Sequence, residues 1–204
     1  MAMGQTDVAS LRDRPAFVLG GLGLLSGLCS AAFGYDVELQ WLKPVAGVFF
    51  LEVGAVPIGL FFSAAMALGM VLLTRNLWVL PAVVVTTMYA WSAAIRTAVW
   101  LQSSAGGDFY LVAGSLAAGA VGAGITHLGC AIFAPGLRRP ARIVLTCAVG
   151  AAAGMLFYLG ERSFTSPKAL YIVWQPAVAF CIGLAMAGAS GIVAPAITSA
   201  PRRP

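Results

Sequence analysis

Long apolar segments separated by short polar ones are the dominant pattern of this chain. They cover residues 15–33, 45–74, 77–102, 109–134, 141–160 and 169–194. An apolar stretch of about 18 residues or more is long enough to cross a bilayer as a helix. The pattern predicts an all-α, polytopic membrane protein whose transmembrane domain, 15–194, is a bundle of six helices. A polar segment, 1–14, precedes it, and a tail rich in Pro and Ala, 195–204, follows.

The second apolar segment is too long for a straight helix. A helix over 45–74 would be about 45 Å long, whereas the hydrocarbon layer is about 30 Å thick. Pro57 lies inside this segment, and a proline in a helix interior removes a hydrogen bond and bends the helix. We therefore predict a kink at Pro57. Glu52 falls on one narrow face with Ala55, Gly59 and Ser63, and we expect this face to point at other helices.

Composition supports a membrane protein. The chain is 60% hydrophobic and 9% charged, where a soluble domain would carry about 25% charged residues. Its net charge of +5 lies in loops and tails, so it relates to membrane orientation and not to nucleic acid. The four cysteines fall in four different apolar segments without a CxxC motif, and we interpret them as packing residues. The sequence predicts no cofactor and no metal site.

Basic residues predict the orientation. With six membrane crossings and the N-terminus inside, eight basic residues are cytoplasmic: Arg12, Arg14, Arg75, Arg138, Arg139, Arg142, Arg202 and Arg203. Three lie outside: Lys43, Arg162 and Lys168. Because positive charge accumulates on the cytoplasmic side, we predict that both termini are cytoplasmic and that the protein lies in the plasma (inner) membrane.

The first apolar segment allows two interpretations. Its small residues around Cys29 are compatible with a cleaved signal peptide. The stretch is, however, longer than the 7–15 apolar residues of a signal peptide. We therefore predict a retained transmembrane helix.

Small residues recur four positions apart on several predicted helices. The rows are Gly23, Gly27 and Ala31; Gly114, Ala118 and Gly122; Gly150 and Gly154; and Gly183, Ala187 and Gly191. Such rows let helix backbones approach closely in lipid. A shift of 95 residues also superposes Pro81-Ala82-Val83 on Pro176-Ala177-Val178, which is compatible with an inverted repeat of three helices. We assign structural roles to Pro57, Pro81 and Pro176.

Three polar residues are predicted at one depth of the membrane. Glu52, Arg96 and Gln175 each lie roughly 9–11 Å outward of the midplane by helical rise. Tyr89 and Ser92 share a face of the third helix with Arg96. Three hypotheses remain: a structural Glu52–Arg96 ion pair, a solute site formed by all five residues, or an Arg96 that reaches the membrane surface and never meets Glu52.

His127 is the single histidine of the chain. It lies in the inner half of the fourth predicted helix, on the same row as Ser115, Gly119 and Ala123. No acidic or cysteine residue stands at ligand spacing, so we interpret it as a packed, hydrogen-bonded, neutral side chain with a structural role.

The sequence leaves two classes of function. In the first, the protein is a small-solute permease or a membrane solute-binding component with a polar site in its outer half. In the second, it is a non-catalytic subunit or assembly factor of a membrane complex. We find no catalytic motif and expect no enzyme. The expected partners are the lipid bilayer and a second membrane protein or another copy, bound through small-residue helix faces.

Overall fold

The computed structural model describes residues 14–34, 40–51, 53–105 and 107–190. This part of the chain contains seven α-helices and no strand. They are α1 (Pro15–Phe33), α2 (Lys43–Phe49), α3 (Val56–Thr74), α4 (Val79–Ala105), α5 (Asp108–Ala131), α6 (Pro140–Glu161) and α7 (Ala169–Ser190). Six of them are long and apolar enough to cross a membrane. The predicted all-α fold with six membrane-spanning helices is therefore confirmed.

Prolines mark where several helices begin. A proline lies in the first turn of α1, α2, α3 and α6. The first turn tolerates proline because its backbone N–H groups have no partner inside the helix, and the fixed φ of proline suits the helix. At the start of α4, the Trp78 backbone N–H donates to the Asn76 side-chain oxygen at 3.0 Å. These local features account for most helix starts.

The second predicted helix is two helices, and its kink at Pro57 is not confirmed. α2 ends at Phe49, and Phe50 has a left-handed backbone with φ 53°. A short 3₁₀ turn, Val53–Ala55, precedes α3. Pro57 lies in the first turn of α3, where a proline starts a helix and does not bend one. Glu52 lies outside the described residues.

The face predicted to point at other helices does so. Ala55, just before α3, is buried, and so are Gly59 and Ser63 within α3. The Ser63 hydroxyl donates to the Gly59 carbonyl oxygen at 2.6 Å. The Trp91 indole N–H donates to the Ala55 carbonyl oxygen at 3.0 Å. This face therefore packs inside the bundle.

The six long helices form a closed ring. Each packs against the next long helix in chain order, and α7 packs against α1. Gly27 lies against Tyr171 while Gly183 lies against Ala16, so α1 and α7 run antiparallel. A Cβ atom at Gly27 would stand 2.5 Å from the Tyr171 carbonyl oxygen. The small-residue rows thus serve close helix contacts within the ring.

The two ends of the ring are filled differently. The main apolar core includes Leu19, Met66, Val83, Cys130 and Ile182. These residues lie toward the end that carries the α3–α4 and α5–α6 connections. At the opposite end, an ion pair joins Asp108 at the start of α5 to Arg162 just after α6. We call these the core end and the ion-pair end.

The two prolines of the proposed repeat occupy different positions in their helices. Pro81 is the third residue of α4, whereas Pro176 is the eighth residue of α7 and lies inside that helix. Pro176 contributes to the α1–α7 contact, because a Cβ atom at Gly23 would stand 2.9 Å from its Cα. The inverted repeat stays a prediction.

Candidate functional site: an aromatic cavity near the ion-pair end

A cavity of about 880 Å³ lies between α4, α5, α6, α7 and three residues that precede α3, namely Phe50, Leu51 and Ala55. Most of its lining is apolar. Its aromatic walls are Phe50, Trp91, Trp100, Phe157, Tyr171 and Trp174. Its polar lining residues include Arg96, Thr97, Gln102, Ser103 and Ser115.

Small residues leave the space that the cavity occupies. Ala94 and Ala98 of α4 face Ala118 and Gly119 of α5, with Gly154 of α6 alongside. A Cβ atom at Gly154 would stand 2.5 Å from the Ser115 carbonyl oxygen. The helices therefore meet backbone to backbone at these points, and small side chains form this part of the lining.

Trp174 separates the cavity from the apolar core. Its side chain is 6% exposed, and its ring centroid lies 5.4 Å from that of Phe62 in the core. A Cβ atom at Gly122 would touch both the Trp174 ring and the Ala94 methyl group. Trp174 thus forms the floor of the cavity at the level of Ala94.

The hydroxyl groups of the lining donate within their own helices. Thr97 donates to the Ala93 carbonyl at 2.8 Å and Ser115 to the Leu111 carbonyl at 2.7 Å. Ser103 donates to the Trp100 carbonyl at 3.0 Å. Such bonds satisfy a hydroxyl proton locally. These three side chains therefore do not offer a free proton to the cavity.

Two buried N–H groups of the lining behave differently. The Nε2 atom of Gln102 and the Nε1 atom of Trp174 are buried and have no hydrogen-bond acceptor among the described residues. Buried polar groups of proteins are nearly always hydrogen-bonded. Both residues line the cavity, so an acceptor on a bound ligand would satisfy these N–H groups once a side-chain rotation brings them to the cavity surface.

Arg96 carries the positive charge of the cavity. Its guanidinium carbon lies 5.2 Å from the centre of the Phe50 ring, a cation–π contact. Its side chain is exposed in the isolated chain. Because Glu52 lies outside the described residues, the predicted Glu52–Arg96 ion pair stays a prediction. The segment that leads to Glu52, Phe50 and Leu51, also lines the cavity.

The structure places Gln175 away from Arg96, in the interface between α1 and α7. The Ser26 hydroxyl donates to Gln175 Oε1 at 2.5 Å, and Gln175 Nε2 donates to the Ser30 oxygen at 3.0 Å. All three side chains are buried. Gln175 does not belong to the cavity lining, so its amide joins two helices.

Tyr89 and Ser92 lie on α4, closer to the core end than most of the lining, and outside it. The Tyr89 ring contacts the Phe49 ring at a centroid distance of 5.0 Å, which holds α2 against α4. Ser92 is buried at 3% exposure. Of the four described residues predicted to share a site, Arg96 lines the cavity and Tyr89, Ser92 and Gln175 do not.

Sequence reasoning missed Trp174 and Gln102. The prediction matched the depth of polar residues inside the spans, whereas Gln102 ends the third predicted helix and Trp174 belongs to an apolar run. Trp174 immediately precedes Gln175 in the chain, and adjacent helical residues point in directions about 100° apart. The glutamine therefore faces α1 while the tryptophan faces the cavity. A buried Trp N–H inside an apolar segment was the available signal, because this group usually finds an acceptor when buried.

His127 lies near the core end, far along α5 from the cavity. Its Nε2 is 3.0 Å from the Leu137 carbonyl oxygen and its Nδ1 is 2.8 Å from the Thr146 hydroxyl oxygen. A carbonyl oxygen only accepts, so Nε2 carries a proton. The side chain is fully buried. These two contacts tie the Pro135–Arg138 turn to α5 and α6, and the neutral, structural role assigned to His127 stays a prediction.

The fold and the surface define the class of protein. Six long apolar helices form the bundle, and large apolar side chains such as Phe17, Val144 and Leu184 are exposed on it. Exposure of these apolar side chains to water is unfavourable, whereas contact with lipid accommodates them. The chain is a multi-pass membrane protein. No protein-family model, curated protein or solved structure matches it.

Proposed function

We propose that this protein binds a small solute in the aromatic cavity, as a permease or as a membrane solute-binding component. The observation that carries the proposal is the cavity itself, with Arg96 and two buried N–H donors in an otherwise apolar lining. Binding sites for small molecules are typically concave and mostly apolar, with a few polar groups that orient the ligand. Its volume of about 880 Å³ lies within the usual range of about 300–1,000 Å³.

Basic residues support an outward-facing site. Arg75, Arg138, Arg139 and Arg142 lie at the core end, next to the α3–α4 and α5–α6 connections. By the positive-inside rule, we assign this end to the cytoplasm and the ion-pair end to the outside. The cavity then belongs to the outer half of the bundle, in the plasma (inner) membrane.

The second class of function, a subunit or assembly factor, receives less support. That hypothesis needs small-residue faces that are available to a partner. Gly23 and Gly27 instead pack against α7, and Gly150 and Gly154 pack against α5. Because these rows already hold the ring together, we favour solute binding.

Cysteine labelling tests whether the cavity is reached from outside. In a variant whose four native cysteines are replaced by alanine, Ala94→Cys places a thiol on the cavity floor. Ala90→Cys is the matched control, since Ala90 lies one turn away on α4, is 1% exposed and does not line the cavity. A small, negatively charged, membrane-impermeant methanethiosulfonate reagent is added to intact cells. We expect it to label the Ala94→Cys variant at least about tenfold faster than the Ala90→Cys variant, because a thiol reacts only where reagent reaches it.

Equal, negligible labelling of both variants would contradict the proposal, because it would leave a sealed bundle without outside access. Labelling that requires permeabilised cells would reverse the proposed orientation. A reagent applied at Ser103→Cys, in the lining nearest the end of α4, supplies the positive control for exposure.

A further inference from the structure

The unsatisfied buried polar groups of the described lining are hydrogen-bond donors. The hydroxyl protons of Thr97, Ser103 and Ser115 are used within their own helices. Trp174 Nε1 and Gln102 Nε2 remain without an acceptor among the described residues, and the Arg96 guanidinium offers N–H donors only. A ligand that satisfies this lining must therefore bring acceptors.

We propose that the ligand of the cavity is a small amphipathic anion, with an apolar body and a carboxylate or similar headgroup, and that Arg96, Gln102 and Trp174 bind its acceptor atoms. This inference rests on the proposed function, because it names the chemical class of the solute. Arg96 supplies the charge, since guanidinium groups pair well with carboxylates. Trp174 and Gln102 supply neutral N–H groups.

Charge in the cavity discriminates against cations. Aromatic walls such as those formed by Trp91, Tyr171 and Trp174 attract cations when no positive charge is near. Among the described lining residues, Arg96 is the one Lys or Arg side chain, and it already contacts the Phe50 ring. Under this proposal, the Arg96 guanidinium is the anion site, in place of the predicted Glu52–Arg96 ion pair. A guanidinium that is not neutralised by Glu52 repels a second cation and attracts an anion, so the sign of the headgroup is a sharp test.

The dimensions suit a single apolar chain or a small ring system. Ala94 on the floor and Gln102 near the end of α4 are eight residues apart, which is about 12 Å along a helix. The aromatic side chains between these levels provide the apolar contact surface. A volume of about 880 Å³ is typical of sites for drug-sized molecules.

The indole N–H groups provide a direct readout. The chain has five tryptophans, so protein labelled with ¹⁵N-tryptophan and held in nanodiscs gives five indole signals, assigned by single Trp→Phe variants. Sodium dodecanoate is the probe. We expect saturable binding that moves the Trp174 signal downfield, as hydrogen bonding to an acceptor does. The Trp78 signal is the internal control, because Trp78 is 81% exposed just before α4, at the core end.

Variants and a second probe sharpen the result. Gln102→Leu and Arg96→Gln should each weaken dodecanoate binding about tenfold or more, as expected for one lost hydrogen bond to a charged group, while Trp78→Phe should leave it unchanged. Dodecyltrimethylammonium has the same chain and the opposite charge, and we expect no saturable shift of the Trp174 signal.

Three outcomes would overturn the inference. The first is an unmoved Trp174 signal at saturating dodecanoate, and the second is an equal shift with dodecyltrimethylammonium. The third is a shift produced by diheptanoylphosphatidylglycerol but not by dodecanoate, and this outcome would make the cavity a site for bilayer lipid. Failure here remains separable from failure of the proposed function. Fast labelling of Ala94→Cys with no dodecanoate effect leaves a solute site of another chemistry, whereas absent labelling removes the site itself.

Discussion

At the residue scale, polar side chains within the bundle divide into those that hold helices together and those that face the cavity. Gln175 belongs to the first group, because its amide is bonded to Ser26 and Ser30 of α1. Trp174, its neighbour in sequence, belongs to the second. Adjacent positions of one helix thus face different surroundings, a helix interface in one case and the cavity in the other.

Replacing Gln175 by leucine should destabilise the protein without altering the cavity. The change removes the amide partner of two buried serines, and single hydrogen bonds between membrane helices contribute about 0.6 kcal/mol and at most about 1.7 kcal/mol. We expect the free energy of unfolding to fall by about 1 kcal/mol, measured by titration with sodium dodecyl sulfate in mixed micelles.

Val173→Leu is the control for Gln175→Leu, because Val173 lies on the same helix and is 45% exposed. We expect no measurable loss of stability there. An unchanged unfolding free energy in Gln175→Leu would show that the buried amide does not stabilise the α1–α7 contact. Labelling of Ala94→Cys should persist in the Gln175→Leu background, since Gln175 does not line the cavity.

At the scale of elements, close backbone approach decides which helices pair. α1 and α7 cross where Gly23 and Gly27 bring α1 against the backbone near Gln175 and Tyr171. Hydrophobic burial does not drive helices together in lipid, so such close packing and interhelical hydrogen bonds do. The α1–α7 contact closes the ring.

A bulky residue at Gly27 should therefore open the ring, whereas the same residue at Gly21 should be tolerated. A Cβ atom at Gly27 would stand 2.5 Å from the Tyr171 carbonyl oxygen, while one at Gly21 would meet nothing within 4 Å. We expect Gly27→Leu to lose most monodisperse protein in size-exclusion chromatography and to lower the melting temperature of what remains, because a forced backbone shift in a packed interface is costly.

Gly21 lies on the same helix as Gly27, and Gly21→Leu adds the same side chain. This variant therefore controls for effects on membrane insertion of α1 and on its helix propensity. Its yield and melting temperature should match those of the unchanged protein. Similar behaviour of the two variants would contradict the close approach of α1 and α7.

At the scale of the whole molecule, the main apolar core lies at one end of the ring and the cavity lies toward the other. The core end holds the main apolar cluster and the anchored His127. The ion-pair end holds the cavity and the exposed Arg162–Asp108 pair. A cavity toward one end of the bundle suits a binding protein whose site is reached from one face of the membrane.

Fusion reporters test the orientation of the whole bundle. Green fluorescent protein joined to the C-terminus should fluoresce, because it folds in the cytoplasm, and alkaline phosphatase inserted after Ser166, in the α6–α7 connection, should be active outside. Both expectations follow from the excess of basic residues at the core end. The reverse pattern, a dark fluorescent fusion and an inactive phosphatase, would turn the cavity toward the cytoplasm.

The sequence by itself determined the six membrane-spanning helices and most of their limits. The first predicted segment, 15–33, coincides with α1, and 141–160 differs from α6 by one residue at each end. Apolar length and helix-starting prolines are local properties, so they can be read without knowing what a helix packs against.

Only the tertiary structure decided where the second span breaks and where the cavity lies. The break falls between Phe49 and Val53, in a stretch of the apolar run whose sequence includes Glu52. There Phe50 takes a left-handed backbone, and the Ala55 carbonyl accepts a hydrogen bond from Trp91, 36 residues away in the chain. The cavity is the space that α4, α5, α6, α7 and this segment leave between them. Such a space depends on how side chains from distant parts of the chain meet, and hydropathy along the sequence carries no information about those meetings.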